Sequence, residues 1–383
     1  MHMPINSEIN TLKPFMPFSD DVINFLDDLS KILMKEREFP DIVTFGFWIR
    51  RANMMKEKAK YDDANERLGR GVVFHIAPSN VPLNFAFTLA MGLLAGNANI
   101  VRLPSRDFEQ MDIIVSAINA LTSDKYKNLQ PYICFVKYRV DKDITDKLSA
   151  MCDVRIVWGG DKTIALLRLS PLKPRATEIT FADRFSVAVI NAEMYLQAEN
   201  KKVIAQNFYN DTYLNDQNAC SSPSIVFFMG KNKDEAAKIF WESVRLLAHE
   251  KYQLTAVQAV GKLSAMYKAS TVISCTPCEN IDNYVTRVKV DSITENLMDF
   301  KYHSGFFLDV NISRLDEILP ICTDKLQTLV YYGVTPQEIR TFLQESKPKG
   351  IDRVAPFGKS MDFSLIWDGN DMIRELSRRI VIL

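Results

Sequence analysis

The sequence predicts an α/β protein built as two lobes, each with a largely parallel sheet covered by helices. Three observations carry that expectation. From residue 71 onward, short apolar strands alternate with helical stretches of about 10–15 residues, the order of a parallel sheet buried on both faces. The loops after several early strands hold Gly, Pro and Ser, which let a ligand approach the backbone. A length of 383 residues is enough for two or three domains of roughly 100–200 residues each.

In order, residues 1–70 read as a helical segment packing on the first lobe. Asp20 to Glu36 places Val22, Ile23, Phe25, Leu26, Leu29, Ile32 and Leu33 at helical spacing, and Asp41 to Lys58 repeats the pattern with Ile42, Phe45, Trp48 and Ile49. Residues 71–190 read as a dinucleotide-binding lobe. Strands are expected at Gly71–Ile76, Asn99–Leu103, Tyr132–Val136, Val154–Trp158 and Ser186–Ile190, with helices at Leu83–Leu94, Phe108–Leu121 and Ile144–Met151 and another opening near Thr163. Ligands of such sheets bind outside the carboxyl ends of the strands, which singles out loops 77–82, 103–107 and 158–162. No G-x-G-x-x-G fingerprint is present.

Residues 191–346 read as a second α/β lobe. A helix from Met194 to Phe208 leads to the loop Asp216-Gln217-Asn218-Ala219-Cys220-Ser221-Ser222 and the strand Ser224–Phe228. Helices Lys233–His249 and Leu254–Tyr267 follow, then strands near Tyr284–Val290 and Gly305–Val310 and a helix near Pro336–Glu345. Residues 347–383 begin with a linker-like Lys347-Pro348-Lys349-Gly350 and read as a tail packing back on the body. Two lobes imply an active-site cleft between them, a common place for small-molecule sites.

Composition narrows the functional classes. Lys plus Arg and Asp plus Glu both number 47, so no global field draws nucleic acid or an anionic membrane. The longest apolar candidate, Val81 to Leu94, is too short to span a bilayer and contains Asn84, and the amino terminus lacks signal-peptide character. Six irregularly spaced cysteines do not form a disulfide framework, which suits a reducing cytoplasm. Cys275 and Cys278 form a C-x-x-C pair, but the four histidines, at 2, 75, 249 and 303, stand at no ligand spacing, so no metal is expected.

The chemistry centres on Cys220, a thiol on a loop that feeds a strand, where rigid scaffolds usually place reactive groups. Taken alone, such a cysteine is more often a small core residue. Other segments change its meaning. Pro78-Ser79-Asn80-Val81-Pro82-Leu83, Ala95-Gly96-Asn97 and Val101-Arg102-Leu103-Pro104-Ser105, together with Gln217-Asn218-Ala219-Cys220, resemble in order and spacing four motifs of the aldehyde dehydrogenase superfamily. His75-x-x-x-x-Asn80-Val81-Pro82, Trp158-Gly159-Gly160-Asp161, Asp216-Gln217-x-Ala219-Cys220 and the tail from Gly350 through Gly358, Met361-Asp362-Phe363 and Trp367-Asp368-Gly369 resemble LuxC-type acyl-CoA reductases. The resemblance runs from about residue 70 to the end and implies an aldehyde-dehydrogenase-like fold of two Rossmann-like lobes.

It also implies roles. Cys220 is expected to take the acyl group of a thioester as its thiolate. Asn80 is expected to donate its side-chain amide to the oxyanion, beside the Cys220 backbone N–H. Glu178 matches the position of the superfamily's water-activating base, without the glycines that follow it there. His75 is either a tuning group or a satisfied core histidine. Pro78, Ser79, Arg102, Pro104, Ser105, Gly159, Gly160 and Thr163 are expected to line the cofactor groove. An arginine at 102, where the family often has lysine, suits a 2′-phosphate and so favours NADPH over NADH. The implied activity is NADPH-dependent reduction of acyl-CoA, or of an acylated partner protein, to the aldehyde. An acyl-phosphate reductase, an oxidising aldehyde dehydrogenase and a non-reducing acyl-carrier scaffold are the alternatives. The superfamily's tetramerising hairpin has no obvious counterpart, so a different homo-oligomer is expected.

Overall fold

The structure is a computed structural model that describes residues 9–79, 81–278 and 282–383. The chain forms two compact units, Met1–Ala182 with Phe363–Leu383, and Asp183–Asp362.

The first unit starts with α1 (Asp20–Leu33), α2 (Pro40–Ile49) and α3 (Arg51–Lys58). The spacing of Val22, Phe25, Leu26, Leu29 and Leu33 buries one face of α1, as its pattern requires. Asp41 to Lys58 is not one helix: Arg50, at φ −58° and ψ 147°, leaves helical geometry and divides it. After β1 (Arg67–Gly69) comes a five-stranded sheet of β2 (Val72–Ile76), β3 (Ala98–Arg102), β4 (Ile133–Val136), β5 (Val154–Trp158) and β6 (Thr177–Phe181). All its strands are parallel, in the order β4-β3-β2-β5-β6. Helices α4 (Asn84–Leu94), α5 (Glu109–Ser123), α6 (Lys142–Met151) and α7 (Asp161–Leu167) connect them. Chain direction across the sheet reverses between β2 and β5. Their carboxyl ends therefore flank the crevice where such sheets take ligands.

The last strand of this sheet corrects the sequence reading. Ser186–Ile190 does not close it; β6 does, and the boundary falls at 182/183 rather than 190/191. As an edge strand β6 buries alternate residues, Ile179 and Phe181, and lacks the solid apolar run that marks a central strand.

The second unit carries β7 (Phe185–Asn191), α8 (Ala192–Gln197), α9 (Lys201–Thr212), β8 (Pro223–Met229), α10 (Lys233–Lys251), α11 (Ala256–Val272), β9 (Cys275–Pro277), β10 (Thr286–Val290), β11 (Phe306–Ile312), β12 (Leu326–Tyr332), α12 (Pro336–Ser346) and β13 (Arg353–Pro356). Seven strands run in the order β13-β12-β7-β8-β11-β10-β9, all parallel except β9. Val187, Val189, Ile225 and Phe227 enter one core, while Ala188, Ile190, Val226 and Phe228 enter the core on the opposite face. That double burial explains why β7 and β8 read as unbroken apolar runs. Met194–Phe208 is two helices, because Ala198 is extended and Asn200 caps α9 by accepting from the Val203 N–H at 3.2 Å.

Residues 347–383 are not one tail. Arg353–Pro356 is the edge strand β13 of the second sheet, whereas 363–383 belong to the first unit. There β14 (Ile366–Trp367) and β15 (Asn370–Asp371) pair with each other, α13 (Met372–Glu375) follows, and β16 (Ser377–Arg379) pairs with β1. Buried Arg67 holds this return: it donates to Ser377 Oγ at 2.7 Å and the Arg374 carbonyl at 2.8 Å, and pairs with Asp63 at 2.9 Å.

Candidate active site

Cys220 is exposed, on the turn between α9 and the amino end of β8. The backbone before it is unusual. Asp216 and Gln217, neither a glycine, stand in succession in the left-handed region at φ 50° and 61°, where side chains other than Asn and Asp rarely sit. Such conformations persist only where the surroundings over-determine them. Here they do. The Asp216 carbonyl accepts from the Ser304 N–H at 2.9 Å and its carboxylate from Tyr252 Oη at 2.7 Å. The Gln217 N–H donates to the Thr212 carbonyl at 2.8 Å.

The Gln217 side chain completes the bracing. Its Nε2 donates to the carbonyls of Pro223 and Phe306, both at 3.0 Å, and its Oε1 accepts from the Gly305 N–H at 3.0 Å. Only an amide supplies both donors and an acceptor at that reach. It ties the loop to the starts of β8 and β11. Ser186 Oγ also donates to the Cys220 carbonyl at 2.6 Å. The nucleophile candidate thus stands on rigid backbone.

His303 and Lys262 join this neighbourhood, and the sequence had tied neither to it. His303 Nδ1 lies 2.8 Å from Ser304 Oγ, and its ring stacks on Tyr302 at 4.1 Å. Burial pushes its imidazole below the ordinary value; Lys262 adds to that, and Asp216 opposes it. Lys262, on α11, is 1% exposed and donates to the Asn283 carbonyl. Burial brings its ammonium down to about 8. Burial likewise lifts the Tyr252 phenol to about 12. The signal for these groups was the contact between two left-handed turns, 216–217 and 304–305, which no local pattern shows.

In the first unit the expected cofactor residues gather at one edge. Pro78 and Ser79 follow β2, Arg102 ends β3 with Pro104 and Ser105 beyond it, and Gly159 and Gly160 follow β5 and open α7, where Thr163 lies. Ser79, Ser105, Gly160 and Thr163 are exposed. A Cβ on Gly160 would meet nothing within 4 Å, so the turn leaves open space at the crevice. The Arg102 guanidinium lies over the Tyr138 ring at 4.5 Å and reaches its carbonyl at 3.4 Å. Among the described residues no carboxylate neutralises it. An arginine held flat at a strand's carboxyl end, beside exposed hydroxyls, suits the phosphates of a dinucleotide. Asn80 lies outside the described residues.

Residues 5–265 match the family model described as "Acyl-CoA reductase (LuxC)". The chain belongs to that family. Long-chain acyl-protein thioester reductases are among its relatives: that of Aliivibrio fischeri is 23% identical over 58% of this chain and 46% of its own length, and that of Vibrio harveyi 22% identical over 81% and 63%. The chain spans about half the length of the first relatives it matches. Among solved structures, a salicylaldehyde dehydrogenase from Pseudomonas putida G7 is 11% identical with a TM-score of 0.66, over 97% of this chain and 86% of that one. Aldehyde dehydrogenase 21 from Physcomitrella patens is 10% identical with a TM-score of 0.65, over 94% and 85%. At such identities the likeness shows the fold, which is that of aldehyde dehydrogenases.

Two residues considered for catalysis in this acyl-CoA reductase family member, Glu178 and His75, hold structural positions, and for His75 the core reading is the one that applies. Glu178 is the second residue of β6, in register with Arg155, so it sits toward the amino end of the sheet, away from the ligand loops. Its carboxylate accepts from Arg155 Nε at 2.8 Å and Nη2 at 2.5 Å, and from Arg168 Nε at 2.8 Å. Two guanidiniums hold it in a structural ion cluster. The geometry is not that of a base poised on water. The replacement of the following glycines by Thr180-Phe181 already hinted at this.

His75 is a core histidine. It is 0% exposed, with Nδ1 at 2.7 Å from Thr88 Oγ1 and Nε2 at 2.9 Å from Asn99 Oδ1. The Asn99 amide donates to the Asn97 carbonyl at 2.7 Å, leaving its oxygen to accept, so His75 is neutral with its proton on Nε2. Burial brings the imidazole down to about 4 from an ordinary 6.5. The unfolded chain therefore binds the extra proton between those values. The stability that neutral His75 contributes is fully present above pH 6.5 and is lost as pH falls toward 4. It amounts to about 3 kcal/mol. Urea unfolding of wild type should lose that much more stability over this interval than His75→Phe; equal losses would contradict the assignment.

Proposed function

We propose that the chain reduces an acyl thioester to the aldehyde through an acyl-enzyme on Cys220. The observation that carries this reading is the over-determined loop around an exposed cysteine, in a chain of the acyl-CoA reductase family. The Cys220 thiolate attacks the thioester carbonyl and expels CoA, or a partner protein's thiol, as thiolate. Hydrogen bonds to the developing oxyanion come from the Asn80 amide, by resemblance, and from the Cys220 N–H; each such donor typically lowers the barrier by about 2.7–4 kcal/mol. A nicotinamide cofactor held along the loops of Arg102 and Gly159-Gly160 would supply the hydride that the acyl carbon takes up. Breaking the carbon–sulfur bond then releases aldehyde and returns Cys220 to the thiolate. Aldehyde release needs no activated water, which agrees with Glu178 being committed to Arg155 and Arg168.

Arg102 supports NADPH over NADH. Arg102→Ala is expected to raise the KM for NADPH about tenfold and to change that for NADH less than twofold, roughly the loss of one charge-assisted contact. Equal effects on both would remove the argument for the 2′-phosphate. The acyl donor, CoA thioester or acylated protein, follows the family and its named relatives, and the reducing cytoplasm follows from cysteine usage.

The test is NADPH oxidation by the purified chain with acyl-CoA, acylated carrier protein and acyl phosphate, with trapping of a hydroxylamine-sensitive acyl adduct. Reduction of the thioesters with an adduct on Cys220 is the expected result. Turnover of acyl phosphate alone would favour the phosphate reductase, and an adduct without NADPH oxidation the acyl-carrier scaffold.

A further inference from the structure

The turn 357–361 belongs to none of the roles described so far, yet two charged side chains clamp it. Asp211, 1% exposed at the end of α9, accepts from the Gly358 N–H at 2.6 Å, the Ser360 N–H at 3.0 Å and Ser360 Oγ at 2.8 Å. Arg353, on β13, donates to the carbonyls of Ser360 at 2.9 Å, Lys359 at 3.0 Å and Asp362 at 2.6 Å. Gly358 has φ +82° and lies so close to Asn207 that a Cβ would approach its Cγ to 2.9 Å. Burying a carboxylate is costly, and three donors on one turn are what offset it. The structure spends a buried charge on placing this turn.

What the turn presents is the thioether of Met361. Its sulfur accepts from Ser221 Oγ at 3.2 Å and from Asn215 Nδ2 at 3.8 Å. Ser221 follows Cys220 directly. Adjacent Cα atoms are 3.8 Å apart, so the sulfur lies within about 10 Å of the Cys220 Cα. An acyl chain of more than a few carbons on Cys220 reaches that far. Methionine is apolar and adaptable, suited to chains that vary in length and bend. Met361 is half-buried, so part of its surface is open to such a contact.

We propose that Met361 is a specificity-determining residue, an apolar wall for the acyl chain carried on Cys220, and that Asp211 is the positioning residue that sets it there by clamping the Gly358–Ser360 turn. The inference rests on the thioester reading of the same site.

The experiment compares wild type, Met361→Ala, Met361→Leu and Asp211→Asn with butanoyl-, octanoyl- and hexadecanoyl-CoA. Two readouts are taken for each: the rate of Cys220 acylation by mass spectrometry, and kcat/KM for NADPH oxidation. Met361→Ala is expected to lower the hexadecanoyl-to-butanoyl ratio about tenfold in both, the effect of removing a few methylene contacts. Met361→Leu should restore most of that ratio, and Asp211→Asn should reproduce the loss. An unchanged ratio in Met361→Ala, or a uniform drop at all three lengths, overturns the inference. If Asp211→Asn fails to fold, the Met361 pair still decides, because that side chain is half-buried. Acylation without NADPH oxidation in wild type overturns the reductase reading alone and leaves the acylation ratio to judge Met361. A wild type that no thioester acylates overturns both.

Discussion

Cys220→Ala is expected to lower thioester reduction about 10³-fold or more and to abolish the hydroxylamine-sensitive adduct. Loss of a covalent nucleophile leaves only binding and oxyanion stabilisation, and the fall in turnover is correspondingly large. The fold should not change. Cys220 is exposed, and the loop's bracing runs through Gln217, Asp216 and the Cys220 carbonyl, none of which needs the thiol. Unfolding by denaturant should therefore match wild type within about 0.5 kcal/mol. The checks are steady-state NADPH oxidation and adduct mass on one preparation. Full activity in the variant would refute the covalent scheme, and so would an adduct of undiminished yield.

Glu178→Leu is expected to behave in the opposite way, destabilising the first unit by about 3–5 kcal/mol while changing turnover per folded molecule little. Arg155 is 2% exposed and gives two donors to Glu178, one to Ser149 Oγ at 3.0 Å and one to the Ser170 carbonyl at 2.9 Å. Removing the carboxylate strands a buried guanidinium, a loss of that size. Arg168 remains largely in water at 61% exposure and contributes little. Joint replacement, Arg155→Met with Glu178→Leu, should recover most of the stability, since an apolar pair of similar volume often substitutes for a buried ion pair. Denaturant unfolding of the three variants checks the stability, and kcat on the folded fraction checks the chemistry. A stable Glu178→Leu that has lost reduction would restore the glutamate as a catalytic base.

Much of the architecture was legible because local patterns suffice for buried parallel strands. The runs at Val72–Ile76, Val154–Trp158 and Pro223–Met229 are apolar throughout, having helices on both faces. Edge strands carry no such mark. β6, β9 and β13 escaped notice because they bury few side chains and are recognised by their neighbours in the sheet, and the interior strand β12 escaped because the buried polar pair Gln327-Thr328 interrupts its apolar run. β7 was legible as a strand, but which sheet it joins depends on pairing with β8 and β12, a contact between residues far apart in sequence. The two helix breaks, at Arg50 and Ala198, turn on backbone angles that helical periodicity passes over.

The sequence by itself determined the family motifs, the loop placement of Cys220 and the strand ends that carry Arg102 and Gly159-Gly160, since each is a short pattern read within one segment. Only the tertiary structure decided what surrounds them. Two residues with catalytic counterparts in the resemblance, His75 and Glu178, proved to be held by Thr88 and Asn99 and by Arg155 and Arg168. The left-handed backbone at Asp216 and Gln217 was shown to be braced from Tyr252, Ser304, Gly305 and Phe306. Asp211 and Arg353 set Met361 beside Ser221 from positions more than a hundred residues apart. The reason is common to all of these. The free energy of a buried charge or a strained turn depends on partners brought from distant segments, and a linear pattern records the residue without them.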